Sequence, residues 1–243
     1  MNENNNNQPR NLYELEGMST FKSKWHNPNY EKHLIGPNPY WKMMVIGGSG
    51  ISHKSQGVLN FIMEFWSGTY DQIHLFLAET EPLYDWFTSQ LPPGSWTMTV
   101  GEIPSVKEFY KDKEEGTSHL LIFDDQMNNS ANMKTILNYF LYARKLPKKG
   151  GSSLIFICQS PTGMASSVGR TLRQQMSLFM IKRINSLSVI SMLADEFKFG
   201  KTREEMLQMY NYCNGESADN WLLINLEARN PNEIFRKNYY EFL

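Results

Sequence analysis

The chain has 243 residues, of which 41% are hydrophobic and 13% aromatic, with 24 basic and 25 acidic side chains. This length suits one domain with a sizeable core, and the composition excludes disorder for most of the chain. The formal net charge of −1 excludes a polybasic protein that binds nucleic acid through bulk charge, so any contact with nucleic acid must be local.

The chain divides into three predicted parts. Residues 1–10 are of low complexity and are predicted to form a disordered, Asn-rich tail. Residues 11–40 contain scattered aromatic residues and three prolines, and are predicted to form an irregular N-terminal lead-in. Residues 41–243 alternate short apolar runs with longer amphipathic segments, which is typical of β-α-β units in an α/β fold.

The predicted elements form a mainly parallel central sheet flanked by helices. Core strands are predicted at residues 42–46, 73–78, 119–123, 153–158 and 178–182, and a late strand at 221–226. Helices are predicted at residues 54–66, 82–89, 106–111, 130–146, 168–176, 188–197 and 202–214. Four of the core strands are nearly continuous apolar runs, as expected where both faces of a sheet are covered.

A glycine-rich turn joins the first strand to the first helix, with the sequence Gly-Gly-Ser-Gly-Ile-Ser-His-Lys-Ser at residues 47–55. It nearly matches the phosphate-binding loop G-x-x-x-x-G-K-[ST], in which backbone N–H groups and a helix N-terminus surround phosphate oxygens. Lys54 would reach the β- and γ-phosphates of ATP, and Ser55 would bind Mg²⁺. The candidate nucleotide-binding residues are Gly48, Ser49, Gly50, Ile51, Ser52, His53, Lys54 and Ser55.

His53 departs from this pattern, because the loop has glycine at that position. If the position requires a positive φ, a Cβ there costs about 1–2 kcal/mol, although histidine is among the residue types enriched in that region. A tight strand-to-helix turn that ends in a solvated lysine explains the segment equally well. Two other glycine motifs fit less well, since a dinucleotide fingerprint lacks its third glycine and a nucleophile elbow needs glycine at Ile51.

Polar side chains follow two further strands. The third core strand runs into Asp124 and Asp125, and the fourth is followed by Gln159. Asp124 and Asp125 lie at the carboxyl edge of the sheet, where they are expected to face the glycine-rich loop. A role for Gln159 there requires that the fourth core strand lie between the strands that lead to Lys54 and Asp124. Asp124 is then the expected Mg²⁺ ligand, while Asp125 and Gln159 prepare the attacking water. The alternative is that the two acids cap the helix predicted from residue 130.

Together these features resemble the additional-strand, RecA-like P-loop NTPases of the FtsK/HerA superfamily. Within it, they resemble the genome-packaging ATPases of DNA viruses, of the poxvirus, giant-virus and virophage type. The resemblance runs from about residue 41 to 183, and more loosely to 236. It rests on the loop at 48–55, the acidic pair, Arg144-Lys145 before the fourth core strand, and the segment 166–180 with its Leu172-Arg173 pair.

The resemblance also implies catalytic arginines. In that family, an arginine after the helix that follows the acidic pair acts on the nucleotide of the neighbouring subunit, and Arg144 matches its place. Lys145 stands where the family usually has histidine. Arg173 is a second candidate, and solvated surface charge is the alternative for both. The candidate catalytic residues are therefore Lys54, Asp125, Gln159, Arg144 and Arg173.

The implied function is ATP hydrolysis, with ATP and Mg²⁺ as cofactors, that drives double-stranded DNA into a viral capsid. Implied partners are DNA bound without sequence preference, further copies in a pentameric or hexameric ring, and capsid or portal-vertex proteins. A basic cluster would face the DNA or the subunit interface, unless it is merely a solvated loop; its residues are Arg144, Lys145, Lys148 and Lys149.

Two other functions stay open. One is a HerA-type helicase or translocase for replication or DNA transfer, and the other is a nucleotide-binding assembly protein with weak or no turnover, which His53 favours. Cys158 and Cys213 predict no disulfide framework, and no apolar run approaches the roughly 20 residues that span a bilayer. We expect a protein of the host cytoplasm or viral factory, or of the virion, that is not secreted and has no membrane span.

Overall fold

A computed structural model describes residues 40–50, 52–65, 68–161, 167–239 and 241–243. The predicted tail lies outside these residues, and so does the predicted lead-in except for Tyr40. Ile51 of the glycine-rich loop and Ser166 also lie outside them.

Within the described residues, nine strands form one sheet in the order β3-β2-β4-β5-β1-β6-β7-β8-β9. The sheet is parallel from β3 to β6, and β7, β8 and β9 extend it in antiparallel pairs. The strands are β1 (Lys42–Ile46), β2 (Gln72–Leu77), β3 (Trp96–Val100), β4 (Ser118–Asp124), β5 (Gly151–Cys158), β6 (Leu178–Ile181), β7 (Leu222–Asn225), β8 (Phe235–Lys237) and β9 (Glu241–Phe242).

Helices cover both faces of this sheet. They are α1 (Lys54–Phe65), α2 (Pro82–Ser89), α3 (Val106–Tyr110), α4 (Ser130–Tyr142), α5 (Ser167–Gln174), α6 (Ser188–Phe197) and α7 (Arg203–Asn214). Capping boxes start α3 and α7, where the hydroxyls of Ser105 and Thr202 accept bonds from the third helical N–H. The predicted helix 130–146 ends earlier, at Tyr142, and a 3₁₀ turn at Ala143–Lys145 follows it.

Successive residues of the central strands enter two different cores. On one face, Met44, Phe123 and Phe156 pack with side chains from α4, α6 and α7. On the other, Val45 and Ile122 pack with side chains from α1 and α2. Because alternate side chains of a strand point to opposite faces, burial on both sides requires a continuous apolar run. This explains why the central strands could be predicted from the sequence.

Three strands of the sheet were not predicted from the sequence. β3, with the sequence Trp-Thr-Met-Thr-Val, lies at the edge of the sheet and is only half-buried. Its alternating threonines are typical of a strand with one polar face, and no apolar run marks it. β8 and β9 are three and two residues long. Strands this short depend on pairing with their neighbours rather than on their own sequence.

A chain of polar side chains, with the buried His74 and His119 at its centre, links β2, β3 and β4. Thr97 Oγ1 lies 2.7 Å from His74 Nδ1, His74 Nε2 lies 2.9 Å from His119 Nδ1, and His119 Nε2 lies 2.8 Å from Thr117 Oγ1. Burial, with a smaller effect of the nearby Lys113 ammonium, lowers the pKa of His74 to about 2 and that of His119 to about 4. Both rings are therefore neutral in the folded protein at neutral pH.

We expect the free energy of unfolding to fall by about 2–4 kcal/mol between pH 7.5 and pH 5. Below pH 6.5 the unfolded chain binds protons at His74 and His119, whereas the folded chain does not until the pH approaches the lowered pKa values. Urea denaturation at several pH values measures this slope. The double variant His74→Leu/His119→Leu should show a much flatter slope, and equal slopes in the two proteins would contradict the assignment.

Candidate nucleotide-binding site

The glycine-rich loop folds back over itself between β1 and α1. The N–H of Gly48 donates to the carbonyl of Arg183 at 2.7 Å, and the Gly48 carbonyl accepts bonds from Ser52 Oγ at 2.6 Å and Lys54 Nζ at 3.3 Å. Gly50 adopts a φ of +72°. The Lys54 ammonium is thus held against the loop, at the start of a helix, where an anion would be stabilised.

Two glycines of the loop are required by close packing. A Cβ on Gly47 would lie 2.6 Å from Ser52 Oγ, and a Cβ on Gly48 would lie 2.4 Å from the side-chain oxygen of Asn185. Gly48 therefore permits the segment after β6 to pack directly on the loop.

His53 adopts the left-handed backbone conformation that glycine usually supplies at this position, with a φ of 49°. Its carbonyl accepts the Gly57 N–H at 2.9 Å, which starts α1. Its ring donates from Nδ1 to Oδ1 of Asp219 at 2.9 Å. The histidine therefore adopts the backbone conformation that the loop requires, and the first hydrogen bond of α1 is still made.

Asp124 ends β4 and lies beside the loop. Its Oδ2 accepts hydrogen bonds from Ser55 Oγ at 2.9 Å and from the Tyr84 hydroxyl at 2.5 Å. Burial raises the pKa of the Asp124 carboxyl above its ordinary value, although these two hydrogen bonds oppose the shift. Asp124 does not cap the helix that follows, because the Asn129 side chain accepts the N–H bonds at the start of α4.

Asp125 and Gln159 meet at the same edge of the sheet. Gln159 Nε2 donates to Asp125 Oδ1 at 3.4 Å, and both side chains are exposed. β5, which leads to Gln159, pairs with β1 on one side and β4 on the other. The predicted strand order, on which this juxtaposition depended, is confirmed.

The site has oxygen ligands of the kind that Mg²⁺ prefers. The Ser55 hydroxyl and the Asp124 carboxylate already lie within hydrogen-bond distance of each other. Mg²⁺ in phosphate-binding sites takes one or two protein oxygens and completes its octahedral shell with water and phosphate oxygens. The residues present therefore fit this ion.

Two adjoining cavities open at this edge and share Glu81, Asp124 and Asp125. The smaller, of about 310 Å³, is lined by the loop and Gln159, and the larger, of about 450 Å³, extends towards the end of β2 and the start of α4. Sequence reasoning missed Tyr84 and Glu81. The available signal was their place in the chain after β2, Glu81 just before α2 and Tyr84 in its first turn, next to the carboxyl ends of the strands.

Arg144 lies at the amino ends of the parallel strands, whereas this site lies at their carboxyl ends. It belongs to the 3₁₀ turn that precedes β5, where it is exposed and, with Lys42, lines a separate cavity of about 180 Å³. The other members of the basic cluster are also exposed, and Lys149 Nζ forms an ion pair with Glu115 at 3.1 Å. Arg144 therefore does not contribute to the site of its own chain.

Arg173 is held inside the chain. Its Nε donates to Glu196 Oε2 at 2.8 Å, and a terminal nitrogen donates to the Pro161 carbonyl at 3.1 Å. The side chains of Arg173 and Glu196 are only 9% and 7% exposed. The guanidinium thus joins α5 to α6 and is nearly enclosed by its own chain.

The parallel sheet, the loop after β1 and the acidic pair at the end of β4, with β5 as the additional strand between β1 and β4, form the P-loop NTPase fold. The genome packaging NTPase B204 from Sulfolobus turreted icosahedral virus 2 has a similar fold. Its complex with AMPPCP has a TM-score of 0.54 at 12% identity, covering 84% of this chain and 100% of that chain. Its complex with sulfate has a TM-score of 0.53 at 11% identity, covering 85% and 98%.

A second similar structure is EssC (ATPases 2 and 3) from Geobacillus thermodenitrificans, with a TM-score of 0.52 at 13% identity. The match covers 83% of this chain and 39% of that chain. No family model and no curated protein matches the sequence. The structural neighbours confirm the predicted fold, and they are consistent with the resemblance to FtsK/HerA-type ATPases. Among the described residues, no helix has both the length and the apolar character needed to cross a membrane.

Proposed function

We propose that this protein is a Mg²⁺-dependent ATPase. The observation that carries the proposal is the meeting of Ser55 and Asp124, at 2.9 Å, beside the loop that holds Lys54. Asp125 and Gln159 lie at the same edge of the sheet. A phosphate cradle, a pair of metal-binding oxygens and a carboxylate for the attacking water are the parts that phosphoryl transfer to water needs.

Each part has a defined role in this proposal. Lys54 and the backbone N–H groups of the loop 48–55 bind the β- and γ-phosphates of ATP, while Ser55 and Asp124 hold Mg²⁺. The bound ion neutralises charge on the phosphate oxygens. Asp125 orients the attacking water and accepts its proton. Gln159, which contacts Asp125, holds that water in line with the γ-phosphate.

We further propose that ATP hydrolysis drives the translocation of double-stranded DNA, as in the packaging of a viral genome into a capsid. The similarity to a genome packaging NTPase supports this function, because this chain covers nearly the whole of that protein. Capsid or portal-vertex proteins are the partners proposed with it, in the cytoplasm or viral factory of a host cell or in the virion. A HerA-type motor uses the same ATPase parts, and an assembly protein with weak turnover is the alternative that His53 favours.

A ring is part of this proposal, with Arg144 completing the site of a neighbouring subunit. Arg144 is exposed at the edge of the sheet opposite its own site, so a head-to-tail arrangement of copies would bring it to the next nucleotide. The ion pair of Arg173 with Glu196 favours a structural role for Arg173 instead.

ATP hydrolysis by the purified protein with Mg²⁺, measured with and without double-stranded DNA, tests the function. We expect turnover that DNA stimulates. Turnover that DNA leaves unchanged would argue against a motor, and ATP binding without turnover would favour the assembly protein.

For Arg144, the same assay is made on a mixture of Arg144→Ala with Lys54→Ala. Each variant alone should be inactive, and the mixture should recover turnover where an intact arginine meets an intact loop.

A further inference from the structure

A turn far along the chain reaches the glycine-rich loop. Residues 217–220 form a turn within the connection from α7 to β7, and Asp219 in this turn accepts the hydrogen bond from His53 Nδ1 at 2.9 Å. This bond lowers the pKa of the Asp219 carboxyl below its ordinary value. The two residues are 166 positions apart. The residue that departs from the loop pattern is therefore the one that this turn contacts.

The turn is anchored from beneath by a buried lysine. Lys182 follows β6 and is 1% exposed, and its Nζ donates to the Asp219 carbonyl at 3.2 Å. The same ammonium lies 5.2 Å from the centre of the Trp221 ring. A Cβ on Gly57 of α1 would lie only 2.9 Å from Lys182 Nζ. The lysine can therefore pack this closely against α1 only because residue 57 is glycine.

The turn is also anchored at its other end and within itself. Asn238, after β8, donates to Asn220 Oδ1 at 3.0 Å and accepts the Trp221 N–H at 3.1 Å. Within the turn, the Asp219 N–H donates to Ser217 Oγ at 3.1 Å. The Asp219 carboxylate is consequently presented to His53 from a fixed backbone.

We propose that Asp219 is a positioning residue for the nucleotide loop, which holds His53 in its left-handed conformation and thereby directs Lys54 towards the phosphates. A side chain at this φ costs free energy that glycine does not, and a hydrogen bond to an anchored carboxylate offsets part of that cost. The turn after α7 thus compensates for the histidine in the loop. This inference rests on the proposed binding of ATP.

A double-mutant cycle tests this coupling. The affinity for a slowly hydrolysed ATP analogue with Mg²⁺ is measured for the wild type, Asp219→Ala, His53→Gly and the combination of the two. Because the His53 and Asp219 side chains are 47% and 64% exposed, we expect Asp219→Ala to weaken binding only about threefold to fivefold. In the His53→Gly background, the same substitution should change the affinity less than twofold, since glycine needs no support.

Asp219→Asn serves as the conservative variant, because its amide oxygen can still accept the bond from His53. We expect its affinity to lie within twofold of the wild type. An equal loss from Asp219→Ala in both backgrounds would overturn the inference, as would no loss in the wild-type background. Wild-type protein that binds no ATP would instead overturn the proposed function, and the inference with it. Melting temperatures of all variants separate these outcomes from general unfolding.

Discussion

Replacing Lys54 with alanine is expected to weaken ATP binding by at least about 100-fold and to abolish turnover. The Lys54 ammonium is held against the Gly48 carbonyl at the mouth of the loop, where it would form charge-assisted hydrogen bonds with two phosphates at once. Loss of two such bonds in a half-buried site is worth about 3 kcal/mol or more. The folded structure should survive, because this side chain makes no other hydrogen bond among the described contacts.

Titration with a slowly hydrolysed ATP analogue in the presence of Mg²⁺ measures this loss. Lys107→Ala is the matched control, because Lys107 is an exposed lysine of α3 and lies outside both cavities at the sheet edge. The control should bind as the wild type does. An affinity of Lys54→Ala within threefold of the wild type would show that the loop is only a strand-to-helix turn.

Replacing Asp125 with asparagine is expected to reduce turnover by at least about 100-fold while ATP affinity stays within threefold. Asparagine has no carboxylate to accept a proton from water, so the chemical step loses its base. It keeps an oxygen that can accept the bond from Gln159, and it tolerates the left-handed backbone of residue 125, whose φ is 52°. The substitution thus separates chemistry from binding.

Single-turnover hydrolysis and analogue binding, measured on the same preparation, test this separation. Asp112→Asn is the matched control, since Asp112 is exposed and lies outside both cavities. A parallel loss of binding and turnover in Asp125→Asn would show that Asp125 holds the metal or the phosphates. Full turnover would remove Asp125 from the reaction.

Much of the fold and part of the site follow from local sequence. The central strands are continuous apolar runs because each of their faces meets a core, so their position and parallel character can be read directly. Lys54, Ser55 and Asp124 follow strands whose carboxyl ends must meet at one edge of a parallel sheet. The proximity of these side chains was therefore predictable once β5 was assumed to lie between β1 and β4.

Other features depend on contacts between distant residues, and no local pattern encodes them. Tyr84 enters the site because α2 packs on the sheet beside β4, and Arg173 turns inward because Glu196 of α6 faces it. The sequence showed that His53 departs from the loop pattern, but only the tertiary structure placed the anchored carboxylate of Asp219 beside it. The physical reason is that burial patterns are local and repeat along an element, whereas a single hydrogen bond depends on where the whole chain brings two side chains.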